Sequence, residues 1–152
     1  PVNADPDKLF RTGVAMSDFK KILSSLPGKT LFFFDTCHAG NVLGAKSKAV
    51  NDVSGVINDL ASAESGVVVF SSSTGRQLSY EDAAWGNGAF TKALVEGLGG
   101  GANYKKTGRI THTMLDLYIS ERVKELTRGK QTPVKLTPPG GGVPDFPVAF
   151  VR

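Results

Sequence analysis

A chain of 152 residues, 40% hydrophobic and 21% charged, can build one ordinary core but not two. No apolar run approaches the ~20 residues that a bilayer crossing needs, and no basic region followed by an apolar signal segment opens the chain, so a soluble and preferentially cytoplasmic protein is expected, with no membrane partner. The net charge of +4 is spread over scattered lysines and arginines without interleaved aromatics, which reads as solvated surface and argues against nucleic-acid binding.

In chain order, Pro1 to Ala15 reads as a connecting stretch, and an opening on Pro1 leaves room for upstream sequence with any targeting signal. Ser17 as an N-cap, with Phe19, Ile22, Leu23 and Leu26 three and four apart before Pro27-Gly28, predicts a short amphipathic helix. Leu31 to Phe34 is an unbroken apolar run of strand length, suited to a strand covered on both faces. It runs into Asp35-Thr36-Cys37-His38-Ala39-Gly40, which holds the only cysteine. Residues 41–65 turn small and polar, with Lys46 and Lys48 in an exposed stretch, and predict a long linker with room for a helix.

Val67 to Ser71 is a second strand, and the polar segment to Asp82 leaves its end. Phe90, Ala93, Leu94 and Leu98 predict a helix stopped by Gly99-Gly100-Gly101. Leu115, Ile119, Val123 and Leu126 define another, capped near Thr111 or Thr113. A Pro/Gly loop follows at Pro138 to Pro144, and Val148 to Val151 reads as a closing strand. Strands alternating with helices predict an α/β layered fold with a mainly parallel sheet.

In open α/β sheets ligands bind at the carboxyl ends of strands, which is where Asp35 to His38 would lie. Three chemistries use such a strand end. A cysteine phosphatase requires an arginine shortly after the cysteine, but Asn41, Val42, Leu43 and Gly44 follow. A haloacid-dehalogenase-type phosphotransferase requires a second acid two residues after the first, where Cys37 stands, although Val67 to Ser71 imitates its serine-terminated strand. A cysteine nucleophile requires a base, an oxyanion pocket and a substrate cleft.

The strand ending in Asp35-Thr36-Cys37-His38-Ala39-Gly40 resembles the nucleophile segment of caspase-like cysteine peptidases, nearer the metacaspase and bacterial (orthocaspase) branch than animal caspases. Ser71-Ser72-Ser73, Gln77-Leu78-Ser79-Tyr80-Glu81, Gly88-Ala89-Phe90-Thr91 and Gly129-Lys130-Gln131-Thr132-Pro133 follow in the order that branch shows. The resemblance implies the caspase-hemoglobinase fold, a mainly parallel central sheet flanked by helices, over residues 1–152 as a single catalytic domain. It also implies an endopeptidase acting through an acyl-enzyme on Cys37.

The family's catalytic histidine lies about 50 residues before the cysteine in a His-Gly motif. Too few residues precede Cys37, so that motif is expected upstream of this chain or on a separate N-terminal fragment, and the chain alone is expected to be inactive. His38 adjoins the nucleophile and is expected to point away; His112, at a helix start, is expected to be a surface or capping residue.

By the same resemblance Asp35 and Glu81, with Ser79 beside them, are expected to bind the residue before the scissile bond. Two carboxylates favour Arg or Lys there, with Arg76 the feature that would instead suit aspartate. Residues 41–65 correspond to the family's self-cleaved linker, which makes Lys46 and Lys48 candidate autoprocessing sites. No metal or cofactor is expected: two histidines and one cysteine do not suit a closed zinc site, and no dense acidic loop supports the calcium activation known in some metacaspases. The alternative is a non-catalytic caspase-like module that binds a partner.

Overall fold

The computed structural model describes residues 5–35, 66–73, 79–138 and 143–152. Within them Val67–Ser71 (β2) is the centre. All five of its residues are buried. It pairs in parallel with Thr30–Phe34 (β1), Thr30 opposite Val67 and Phe34 opposite Ser71, and antiparallel with Val134–Leu136 (β6). The expected mainly parallel sheet is therefore, among the described residues, a mixed one with one parallel and one antiparallel pair. Periodicity carries no signal of strand direction, and β6 is only three residues long.

Because side chains alternate across a strand, β2 feeds two apolar layers. Val68 and Phe70 face Ala89, Phe90, Ala93, Leu115, Ile119 and Val123, all buried. Phe33 stacks on Phe70 at 5.0 Å on this side. Val67 and Val69 face the other way, with Leu23, Phe32, Phe34 and Leu136. Helices thus lie on both sides of the sheet, as the α/β reading requires.

Leu23 belongs to Met16–Ser25 (α2), which follows the short turn of helix Leu9–Thr12 (α1). The expected cap Ser17 lies inside α2; Ala15 precedes it and caps with no side chain. Ile22 and Leu26, expected on the buried face, are exposed at 56% and 44%. The five residues of β1 are half-buried: Leu31 and Phe33 pack on one apolar cluster and Phe32 and Phe34 on the other, while among the described residues the strand pairs along one edge alone.

Beyond the sheet, Ala89–Glu96 (α3) and His112–Thr127 (α4) pack together under β2. The expected glycine stop is a wide turn at Gly97–Gly101, where Gly100 has φ of +128°. Gly97 and Gly101 serve close approach instead. A Cβ on Gly101 would stand 2.6 Å from the Tyr118 ring, and one on Gly97 2.9 Å from Leu115. Thr111 caps α4, its hydroxyl accepting from the Met114 N–H. Four further strands are short: Glu81–Asp82 (β3) pairs with Asn87–Gly88 (β4), and Arg109–Thr111 (β5) with Pro147–Phe150 (β7), the expected closing strand. Only the last of them has an apolar run that sequence reading can find. Among the described residues no helix is long and apolar enough to cross a membrane.

An ion cluster joins the end of α3 to α4. Arg122 grips Glu96 through Nε at 2.7 Å and Nη2 at 3.4 Å, Lys92 adds a contact at 2.9 Å, and Arg122 also reaches Glu125 at 2.8 Å. The Arg122 and Lys92 hydrogen bonds hold the Glu96 carboxyl down at about 2, against an ordinary 4.5. A depressed carboxyl contributes stability above its unfolded value and loses it as pH falls towards the folded one. Glu96→Gln is expected to lower the melting temperature at neutral pH and to flatten its decline between pH 4.5 and 2 relative to the native protein. Identical acid-unfolding profiles for the two proteins would reject this role.

Candidate functional site

The site is built where β1 and β2 end side by side. The ladder continues one step past β2, the Ser72 N–H donating to the Phe34 carbonyl at 2.9 Å. Asp35 emerges there, exposed. On the neighbouring strand Ser71, Ser72 and Ser73 stay buried, so their polar groups need partners inside the protein. The Ser71 hydroxyl donates to the Ser73 carbonyl at 3.0 Å, and the Ser72 and Ser79 hydroxyls meet at 2.8 Å.

Gln131, 1% exposed, closes this network. Its Nε2 donates to the Ser72 carbonyl at 2.7 Å, and its Oε1 accepts from the Tyr80 N–H at 2.8 Å. Thr127 passes the connection into α4, accepting from the Gln131 N–H at 3.1 Å and donating to the Val123 carbonyl at 2.7 Å. One buried amide therefore ties the end of β2 to the segment that enters β3. Glu81 follows at once, opposite Gly88 of β4, and the Ala89 N–H donates back to the Tyr80 carbonyl at 2.9 Å. The hairpin between them turns on Gly86, at φ of +72°, with Asp82 accepting from the Ala84 N–H at 2.8 Å.

Gly88 is where the two acids converge. Asp35 Oδ2 lies 3.4 Å, and Glu81 Cγ 3.9 Å, from the point a Cβ on Gly88 would occupy. Both acids are exposed, and the Thr91 hydroxyl, on the first turn of α3, donates to Asp35 Oδ2 at 2.6 Å. The geometry thus brings Asp35 and Glu81 together at Gly88, while the Ser79 hydroxyl is bonded to that of Ser72. It adds Thr91 and Gln131, to which sequence reading gives no role although both sit in the short strings that carry the resemblance. Cys37, His38, Lys46, Lys48, Arg76 and the 41–65 linker lie outside the described residues.

His112 stands elsewhere. It is 3% exposed, not a surface residue, and starts α4 with its ring 4.8 Å from Phe146 and Nε2 3.5 Å from Asp145 Oδ1. Burial raises the Asp145 carboxyl, but hydrogen bonds from Thr111 and Thr113, with the neighbouring His112, outweigh it and hold the group below its ordinary value. These contacts tie the chain ahead of β7 to the start of α4 and leave His112 almost wholly buried. At the other end of α3 an open groove of about 490 Å³ is lined by Glu96, Tyr104, Tyr118, Glu121, Arg122 and Glu125. Its hydroxyls and carboxylates bond to one another and to Arg122, so it has the character of a structural ion cluster. Among the described residues no three His, Cys, Asp or Glu side chains gather as metal ligands.

No curated protein and no solved structure matches the chain. A family model does, that of the caspase domain, over residues 2–137, which takes in Asp35, Cys37, Glu81, Thr91 and Gln131. With nearly all of the chain matched, from the stretch before α1 to the end of β6, this protein belongs to the caspase-domain family of cysteine peptidases.

Proposed function

We propose that this protein is an endopeptidase that cuts peptide bonds after arginine or lysine, with Cys37 as nucleophile. The observation that carries the specificity is the convergence of Asp35 and Glu81 on Gly88, with Asp35 only two residues before Cys37 in the chain. Two exposed acidic residues meeting at one glycine attract a cation and repel an acid, and a guanidinium offers five N–H donors in a planar fork. Membership of the family supports the thiol chemistry.

The thiolate of Cys37 attacks the carbonyl carbon before the scissile bond, and its backbone N–H stabilises the oxyanion. The leaving amine departs with a proton from an imidazole; water then hydrolyses the thioester, returning the thiol and releasing the carboxylic acid. The burial of His112 and its packing on Phe146 support an imidazole from outside these 152 residues, on an upstream segment or a separate N-terminal fragment.

The full-length protein provides the tests. Cys37→Ala is expected to abolish cleavage of arginine peptides while leaving the melting temperature nearly unchanged, because thiol to methyl is a small change of volume. His112→Ala is expected to lower stability but to retain turnover. A Cys37→Ala protein of native activity would end the peptidase reading, and an inactive but folded His112→Ala protein would relocate the base.

For specificity, side-by-side peptides with Arg, Lys or Asp before the scissile bond are expected to be cut, cut and spared. Asp35→Asn or Glu81→Gln is expected to depress kcat/KM for the arginine peptide at least about tenfold, the scale of a lost charge-assisted hydrogen bond, with little change in the alkylation rate of Cys37. Preference for Asp would assign recognition to Arg76 instead.

The same preference makes Gly44-Ala45-Lys46-Ser47-Lys48-Ala49 a candidate self-cleavage segment, being small, polar and basic. New amino termini at Ser47 or Ala49, found by mass spectrometry in the active protein and missing from Cys37→Ala, are the expected result. An intact linker in a preparation that cleaves arginine peptides would reject it.

A further inference from the structure

We propose that Thr91 is a specificity residue of the acidic subsite, fixing the Asp35 carboxylate and offering its own oxygen to the bound cation. The inference rests on the reading of Asp35 and Glu81 as the subsite for a basic side chain, and deepens it. A threonine hydroxyl has one proton and two lone pairs. At 2.6 Å from Asp35 Oδ2 that proton is committed to the carboxylate in a short, charge-assisted bond. The lone pairs of Oγ1 are what remains, so towards a ligand Thr91 acts as an acceptor.

The donation has a second effect. Asp35 leaves its strand exposed, and an unheld carboxylate there would sample several rotamers. The bond from Thr91 selects one of them and fills Oδ2, while Oδ1 carries no hydrogen bond among the described residues. A guanidinium or ammonium entering the subsite then finds Asp35 Oδ1 and the Thr91 oxygen held in place, with the Glu81 side chain near Gly88, in place of one mobile acid. Pre-ordering of this kind reduces the entropy lost on binding.

Gly88 keeps the space open. Its φ of −68° suits any residue, so no backbone constraint demands glycine. Every atom near its missing Cβ is 3.4 Å or more away, which leaves room for a methyl group in the fold. That methyl would stand between Asp35 and Glu81.

The experiment uses the full-length protein and two peptides that differ only in arginine or norleucine before the scissile bond. Thr91→Val, which keeps the shape and removes the hydroxyl, is expected to raise KM for the arginine peptide about tenfold with kcat within about twofold, since uniform binding is lost and the chemical step is untouched. Thr91→Ser is expected to restore native values. Gly88→Ala, chosen because it tests the same space without breaking a hydrogen bond, is expected to raise KM for arginine and to spare norleucine, with a native-like melting curve. If Asp35→Asn loses the arginine preference and a folded Thr91→Val retains native KM, the role of Thr91 is overturned and the acidic subsite stands. If the native protein shows no preference for arginine over norleucine, the subsite reading itself is overturned, and the role of Thr91 with it.

Discussion

A single buried amide holds the functional end of this protein together. β2 is buried on both faces, and burial continues through Ser72 and Ser73, past the paired residues of β2, where the ladder with β1 ends in the bond from the Ser72 N–H to the Phe34 carbonyl. Backbone groups there cannot turn to water, and leaving one unpaired costs about 1 to 3 kcal/mol. Gln131 meets that demand by donating to Ser72 with one end of its amide and accepting from Tyr80 with the other. An amide is suited to this because it carries a donor and an acceptor in one rigid plane. A carboxylate or an ammonium at the same place would satisfy one partner and repel the other.

The clamp has a positional consequence. Tyr80 is fixed by Gln131 through its N–H and by Ala89 through its carbonyl, so the backbone just before Glu81 is held on both sides. The β3 and β4 hairpin is only two residues long on each arm and would be marginal alone. It is ordered because its base is bonded to the core. Asp35 is placed by a different route, as the first residue past a strand whose register with β2 is fixed over five pairs. Two independent supports therefore bring two acids to Gly88. The convergence is a property of the fold and not of a flexible loop.

How much of this was legible in the residues depended on element length and on the range of the contact. Strands β1 and β2 stand out as unbroken apolar runs, and α4 as a sixteen-residue helix with Leu115, Ile119 and Val123 on one buried face. Strands β3 to β6 do not stand out, since two or three residues give no periodicity to read. Asp35 and Glu81 were identifiable as candidates because the strings around them resemble those of a known family. The clamp was not, because Gln131 acts on residues 51 and 59 positions earlier and nothing local distinguishes it from a surface glutamine. The exposure of Ile22 and Leu26 shows the converse: helical spacing gives a face, but the neighbours decide how much of that face is covered.

Asp35 also has a structural use, compatible with the proposed one. Helix α3 begins at Ala89 after Gly88, a residue with no side chain to cap its first turn. A carboxylate beside that turn, bonded to the hydroxyl of Thr91, supplies negative charge where the helix dipole is positive. The same Asp35 oxygen and the Glu81 Cγ lie beside Gly88, the residue before that helix. Support by a helix end and a hydroxyl thus fixes Asp35 at the strand end through Oδ2 and leaves Oδ1 without a hydrogen bond among the described residues, the arrangement that the proposed recognition of an external cation requires.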